Sequence, residues 1–191
     1  MSAAPALTRP LARDPGMAPL VAGERVILRP LRLADADAIG LSLADAQVAR
    51  MLAHVPVPYF RQDALDWLVC ATSGMLPGWL FAVTMADDVL IGVVSIVPRD
   101  GAWTIEYWVN RFYWRKGFGR MAVSAALDRF FQRMPDARVL SRVPADDAPA
   151  LKLQAGLGFT VSGCDERFLE ARGRMVMMIE SRIDAASLRR A

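Results

Sequence analysis

"NRFYWRKGFGRMAVSAALDRFF", residues 110–131, is the stretch of this 191-residue sequence that decides the fold. Its first half sets three cations around two glycines, and its second half has the apolar spacing of an amphipathic helix. Gly117 and Gly119 free the backbone to turn its N–H groups toward one point, and the helix adds its positive dipole end. The segment therefore predicts a helix start that binds an anion such as a phosphate.

The residues just before this segment form a predicted strand that carries a carboxylate. In residues 103–109, WTIEYWV, apolar side chains alternate with Thr104, Glu106 and Trp108, so Glu106 faces away from the more apolar side. A carboxylate on a central strand is costly to bury unless it is paired, solvated or used in catalysis. Glu106 is thus a candidate general base, or it lies in water or pairs with an arginine such as Arg99.

Composition limits the classes of function. The chain has 23 Lys+Arg against 20 Asp+Glu and a net charge of +3, with the cations dispersed, which argues against nucleic acid as a partner. No apolar stretch is long enough to cross a membrane, and the first residues do not resemble a secretory signal, so we expect a cytoplasmic protein. Two distant cysteines and the single His54 exclude a zinc cluster and a histidine-based triad, and no metal site is predicted.

The order of predicted elements indicates an α+β fold, an α/β mixed sheet of about six to seven strands with helices on both faces. A leader is predicted at 1–22, a domain at 23–183 and a tail at 184–191. The predicted strands cover 24–31, 80–86, 89–97, 103–109, 138–143, 159–168 and 174–183. The predicted helices cover 32–49, 61–74, about 117–134 and 148–157.

Two nucleotide-binding motifs do not fit the sequence. GFGRMA at 117–122 matches the dinucleotide fingerprint, but seven residues separate the first glycine from the strand and the next strand ends without an acid. The phosphate-loop pattern is absent, because Arg120 and Met121 follow the second glycine. A dehydrogenase-like nucleotide domain is therefore a distant alternative, and a surface loop without a ligand is another.

The loop together with the later segment ADDAPALKLQAGLGF at 145–159 resembles the GNAT superfamily of acetyl-CoA-dependent N-acetyltransferases. The opening GERVILRPLRLADADAI at 23–39, the PVPY loop at 56–59 and WLFAVTMADDVLIGVVSI at 79–96 are similar to the branch of ribosomal-protein N-terminal (alanine/serine) acetyltransferases. The resemblance covers about residues 23–181. It implies a GNAT-like fold and transfer of acetyl from acetyl-CoA to a primary amine, of a protein N-terminus or a small molecule.

The resemblance also implies roles for particular residues. The loop and helix start would hold the pyrophosphate of coenzyme A, and the main chain of the preceding strand would lie along its pantetheine arm. The implied cofactor-binding residues are Tyr107, Trp108, Val109, Arg115, Lys116, Gly117, Phe118, Gly119, Arg120 and Asp147. Glu106 is the candidate base, directly or through water, and the N–H near Val109 is the candidate oxyanion donor.

The sequence departs from its relatives at several of these positions. Glu106 stands where many members of the branch have glycine, Asp147 where they have asparagine, and Ala150 where they have serine. Gln154 replaces the tyrosine that acts as the acid in some other branches, so no general acid is assigned. Asp146 or Asp147 is predicted to cap the helix that follows. A non-catalytic acyl-CoA-binding module is the alternative function, and a homodimer is compatible with the sequence.

Overall fold

The computed structural model describes residues 14–74 and 76–190 of the chain. These residues form one mixed sheet of eight strands in the order β1-β2-β3-β4-β5-β6-β8-β7. The strands are β1 Val21–Ala22, β2 Ile27–Pro30, β3 Trp79–Thr84, β4 Leu90–Arg99, β5 Ala102–Val109, β6 Arg138–Pro144, β7 Thr160–Leu169 and β8 Arg174–Asp184. The α-helices are α1 Ala36–Leu43, α2 Ala46–Ala49, α3 Arg61–Thr72, α4 Phe118–Arg133 and α5 Ala148–Leu157.

The mixed α+β fold is confirmed, with one strand more than the upper limit of the prediction. The additional strand is β1, which pairs antiparallel with β2 and begins at Val21, inside the segment predicted as a leader. Trp79 also donates a hydrogen bond to the Gly16 carbonyl at 2.8 Å, so this part of the segment contacts the core. Residues 1–13 of the predicted leader lie outside the described residues.

The helix predicted over 32–49 is broken in the structure. A 3-10 turn at Leu33–Asp35 precedes α1, and α2 starts as a separate helix after Asp45. Asp45 has extended backbone geometry, and its carboxylate accepts a hydrogen bond from the N–H of Gln47 at 2.8 Å. A side-chain cap of this kind starts a new helix, which helical spacing alone does not reveal.

Helices cover the two faces of the sheet unequally. On one face, α4 packs over the central strands in a large apolar core that contains Trp79, Phe81, Ile105 and Phe130. On the other face, α1 and α3 form a second core with residues of β3 and β4. The buried residues of this second core include none from β6 or β8. On β7 and β8 the same face carries a separate small cluster of buried side chains, Leu169, Val176 and Met178.

The end of the chain packs onto the domain. Leu188 is buried in the large core, and the N–H of Arg189 donates to the carbonyl of Leu157 at 2.9 Å. Gly158 ends α5 in the left-handed conformation, and a Cβ there would lie 2.0 Å from the carbonyl oxygen of Ser187. Most of the segment predicted as a tail thus closes the end of α5.

Candidate functional site

The two central strands β5 and β6 diverge, and the opening between them organises the site. β5 pairs with β4 over its whole length, from Ala102 to Val109. With β6 it forms a parallel ladder at Trp103 and Thr104 only. Beyond Thr104 the two strands separate, so the main chain of residues 105–109 has a free edge toward β6.

The direction of the β5 main-chain groups follows from one hydrogen bond. Asn110 donates its N–H to the carbonyl of Ile91 at 2.7 Å, so the residues that bond to β4 are the even-numbered ones. The N–H groups of Tyr107 and Val109 therefore point into the opening. The Val109 carbonyl accepts a hydrogen bond from the Trp114 indole at 2.6 Å. The Trp108 main chain faces β4, and its ring packs in the second core.

The glycine loop lies at the start of α4, as the sequence predicts. Gly117 precedes the helix with φ 83°, in the left-handed region, and Arg115 also has a left-handed φ of 60°. No described side chain caps α4, and its first main-chain bond runs from the Met121 N–H to the Gly117 carbonyl. The N–H groups of Phe118, Gly119 and Arg120 consequently have no partner within the helix and are free to bind an anion.

Gly119 brings this helix start to the mouth of the opening. A Cβ at Gly119 would lie 3.4 Å from Leu153 on α5 and 3.7 Å from Val109 at the end of β5. The side chain of Arg120 reaches across to α5 and donates to the Gly156 carbonyl at 3.4 Å. The loop, the end of β5 and α5 therefore meet at one place.

Arg25 is a cation of this region that the sequence analysis missed. Its guanidinium lies 4.7 Å from the centre of the Phe118 ring and donates to the Lys116 carbonyl at 3.4 Å. Ninety-one residues separate Arg25 from Lys116, so no local pattern could have placed them together. Arg111, which precedes the glycine loop, pairs with Asp45 at 3.7 Å.

Glu106 lies on the opposite face of the sheet from α4. Its carboxylate pairs with Arg99 at 3.0 Å, and a second nitrogen of Arg99 lies 3.4 Å from the other carboxylate oxygen. The pairing with Arg99 that the sequence analysis gave as an alternative is therefore present. The Glu106 side chain is 40% exposed, so the carboxylate is still accessible to an amine or to water.

Other carboxylates on this face also have arginine partners. Glu180 of β8 pairs with Arg142 of β6 at 2.7 Å, and Asp165 of β7 pairs with Arg167 at 2.9 Å. The strand register places Glu180 and Asp165 on the same sheet face as Glu106. The charges of these acidic groups are thus compensated locally.

Arg172 joins three segments at the edge of the same face. Its guanidinium is almost completely buried and donates to both carboxylate oxygens of Asp146, at 2.9 and 2.7 Å. Its Nε donates to the carbonyl of Arg50 at 2.6 Å. The hydrogen bond from Arg172 holds the pKa of Asp146 below its ordinary value. The turn between β7 and β8 is thereby tied to the end of α2 and to the β6–α5 loop.

Of the two predicted caps, Asp146 and Asp147, it is Asp147 that caps α5. Its carboxylate accepts a hydrogen bond from the N–H of Ala150 at 3.0 Å, and Pro149 lies in the first turn of the helix. Burial raises the pKa of Asp147, whereas the bond from Ala150 acts in the opposite direction. The cap fixes α5 beside the opening.

Most of the aromatic residues from α2 to the start of β3 lie in the cores and do not form a pocket for an acceptor. Trp79 is fully buried in the large core, and Trp67 and Tyr59 pack against the second core. Burial raises the pKa of Tyr59 to about 12. Phe60 and His54 are exposed.

Two further classes of site are absent from the described part of the chain. No helix in the described residues is long and apolar enough to span a membrane. Among the same residues, no cluster of three or more histidine, cysteine or acidic side chains has the arrangement of a metal site.

Comparison with known proteins gives concordant matches. Residues 25–160 match the family model for the acetyltransferase (GNAT) domain. The chain is 28% identical over 159 residues to an uncharacterized N-acetyltransferase p20 of Bacillus licheniformis, a match that covers 80% of this chain and 89% of the relative.

Two solved structures with similar folds have different acceptors in their names. The ribosomal-protein-S5-alanine acetyltransferase of Vibrio fischeri superposes with a TM-score of 0.70 and 19% identity, covering 89% of this chain and 98% of that one. The spermidine N-acetyltransferase of Vibrio cholerae, in complex with CoA and spermine, superposes with a TM-score of 0.72 and 21% identity, covering 86% and 98%. At these identities the likeness shows the fold and not the acceptor.

Proposed function

This chain belongs to the GNAT acetyltransferase family and is therefore an acetyl-CoA-dependent N-acetyltransferase, and we propose that its acceptor is a primary amine of low total charge, above all a peptide N-terminus. The amine attacks the thioester directly, without an acyl-enzyme intermediate. The paired carboxylates of the accessible sheet face support this choice of acceptor. Family membership favours the enzyme over the non-catalytic module that the sequence left open.

The chain offers main-chain donors for the cofactor. The free N–H groups at the start of α4 suit the pyrophosphate, and Arg115, Lys116 and Arg120 add positive charge to the same loop. The N–H groups of Tyr107 and Val109 suit the carbonyl oxygens of an extended pantetheine arm and its thioester in the opening. An anionic, extended cofactor fits these residues.

The acceptor amine would approach from the face that carries Glu106. Glu106, directly or through water, takes a proton from the ammonium group so that the nitrogen lone pair attacks the carbonyl carbon. The Val109 N–H donates to the oxygen on which negative charge develops. The C–S bond then breaks, its electron pair goes to sulfur, the acetylated nitrogen releases its second proton to solvent, and the sulfur takes up a proton from solvent.

The acceptor class follows from the charge of this face. A polyamine carries several positive charges and needs uncompensated carboxylates along its length. Here Glu106, Glu180, Asp165 and Asp146 each have an arginine partner within 3.0 Å. A single amine followed by a neutral chain is the better match for such a surface.

The test measures thiol release from acetyl-CoA with a panel of acceptors. We expect release with unblocked peptides and a value of kcat/KM at least tenfold lower with spermidine. A peptide with a blocked N-terminus and no lysine is the matched control and should give none. A preference for spermidine would contradict the proposed acceptor, and absence of release with every amine would contradict the activity.

Cytoplasmic location and a homodimer stay predictions.

A further inference from the structure

A buried polar bridge crosses the opening between β5 and β6 on the side of α5. The side-chain amide nitrogen of Gln154 donates to the Ser141 hydroxyl of β6 at 2.9 Å and to the Tyr107 hydroxyl of β5 at 3.3 Å. Gln154 is 1% exposed, and Ser141 is equally buried. The bridge lies beyond the last paired residues of the two strands, where the pantetheine arm is expected.

The hydrogen bonds of this bridge are incomplete. Gln154 fills an acceptor position of the Tyr107 hydroxyl, and no described residue accepts the Tyr107 proton. The Gln154 side-chain carbonyl oxygen is also buried without a partner among the residues that the structure describes. Buried polar atoms are nearly always bonded, so an unbonded amide oxygen beside a hydroxyl proton without an acceptor indicates a site that a ligand completes.

We propose that the Tyr107 hydroxyl donates a hydrogen bond to the thioester sulfur and stabilises the thiolate that leaves, with Gln154 as the residue that positions it. This inference rests on the proposed function, because it places the thioester in the opening. It assigns a residue to stabilise the leaving thiolate, a step for which the sequence analysis assigned no general acid. The sequence analysis placed only the main chain of Tyr107 beside the cofactor.

The chemistry of the hydroxyl fits a donor that keeps its proton. When the C–S bond breaks, the electron pair goes to sulfur, the Tyr107 O–H bonds to that sulfur, and solvent supplies the proton that completes the thiol. Burial raises the pKa of Tyr107, so the phenol stays protonated throughout the working pH range. A neutral donor in a partly desolvated site is well suited to stabilise developing negative charge.

The first experiment tests the hydrogen bond from Tyr107 to sulfur without measuring catalysis. The pKa of the thiol of bound CoA is measured from the ultraviolet absorbance of the thiolate for the wild-type chain and for Tyr107→Phe. A donor to sulfur stabilises the thiolate, so we expect a higher thiol pKa in Tyr107→Phe. The pH at which the bound thiolate forms should be unchanged in Thr104→Val, which removes a buried hydroxyl of the same strand that has no partner among the described residues.

The second experiment separates this role from a structural one. In Tyr107→Phe we expect kcat to fall on the order of 10- to 100-fold while KM for acetyl-CoA changes less than threefold. Gln154→Met keeps the volume but removes the amide that positions Tyr107, and should give a smaller loss of kcat with a smaller rise in thiol pKa. This variant also tests the inference if Tyr107→Phe does not fold.

The outcomes are distinguishable from failure of the proposed function. If the wild-type chain does not bind CoA, the proposed function is wrong. If the wild-type chain binds CoA and turns over, but the thiol pKa and kcat are the same in Tyr107→Phe and Gln154→Met, only the role of Tyr107 is overturned.

Discussion

The two sides of the β5–β6 opening are built in different ways. On the cofactor side, the donors are main-chain N–H groups of residues 107–120, which one continuous stretch of sequence supplies. On the acceptor side, the polar groups are side chains from β4, β5, β6, β7, β8 and their loops, which meet in ion pairs. The first arrangement depends on local backbone geometry, and the second depends on the register of the whole sheet.

The largest effect is expected for the acceptor side, at Glu106. Glu106→Gln removes the proposed base but keeps a hydrogen-bond acceptor for Arg99. We expect kcat to fall on the order of 100-fold, since general base catalysis contributes about that much, with the affinity for acetyl-CoA unchanged. Steady-state kinetics and calorimetry measure the two quantities.

Glu166→Gln is the control for that substitution. Glu166 is exposed on the edge strand β7, so the same loss of charge there should leave turnover unchanged. Equal turnover in Glu106→Gln and the wild-type chain would remove Glu106 from the mechanism. The pair with Arg99 would then be structural.

The second prediction concerns the backbone of the cofactor side. Gly117 has φ 83°, and a Cβ added there would meet only the end of the Met121 side chain, at 3.9 Å, so conformation rather than space requires glycine. In Gly117→Ala a non-glycine residue in the left-handed region costs about 1–2 kcal/mol. We expect the affinity for acetyl-CoA to fall roughly tenfold, as measured by calorimetry, if the N–H groups move to relieve this strain.

A matched glycine distinguishes loss of the site from loss of stability. Gly173 has φ 59° in the turn between β7 and β8, with open space around it. Gly173→Ala should lower the free energy of unfolding by a similar amount without weakening acetyl-CoA binding. If both variants bind acetyl-CoA like the wild-type chain, the main-chain account of the loop is wrong.

The contrast between the sides explains what the sequence could predict. The loop, α4 and the alternation along β5 follow from glycine chemistry and periodicity within about thirty residues. Seven of the eight described strands were predicted for the same reason, whereas β1 has only two residues and exists through its pairing with β2. Local patterns are sufficient where local geometry decides the structure.

The interactions that the sequence analysis missed join residues far apart in the chain. Arg25 reaches Lys116, and Arg172 reaches Arg50 across 122 positions. Gln154 contacts Tyr107 and Ser141 only because α5 packs over the diverging strands. The local sequence around each of these residues does not specify its distant partner. These contacts therefore require the tertiary structure.

The third prediction tests the arginine that ties the acceptor side together. Arg172→Lys keeps the charge but cannot bond the Arg50 carbonyl and both oxygens of Asp146 at once. We expect KM for the acceptor to rise about three- to tenfold, while acetyl-CoA affinity is unchanged, and the free energy of unfolding to fall by about 1–2 kcal/mol. Kinetics with the best peptide acceptor and urea unfolding measure these effects.

The comparison variant is Arg167→Lys, since Arg167 pairs with Asp165 in the same hairpin but does not join separate segments. It should change neither KM nor stability appreciably. Because the pKa of Asp146 is lowered, the stability from its pair with Arg172 is present above the ordinary Asp pKa and is lost as pH falls through the lowered value. A difference between Arg172→Lys and the wild-type chain that persists in full at low pH would contradict this origin.

The smallest effect is expected at Asp147, where the two sides meet. Asp147→Asn keeps the cap, since asparagine and aspartate are equivalent at this position, but it removes a charge that burial disfavours. We expect the variant to be more stable than the wild-type chain at pH 7, by less than about 1 kcal/mol. Unfolding by urea at several pH values measures the difference.

The pH dependence gives that prediction its sign. Because the pKa of Asp147 is raised in the folded chain, the folded state binds a proton more readily than the unfolded state. The wild-type chain therefore gains stability as pH falls through the raised pKa, and the advantage of Asp147→Asn should shrink until it disappears below the unfolded pKa. An advantage that grew as pH fell would mean that the ionised carboxylate stabilises the fold, and that the cap depends on its charge.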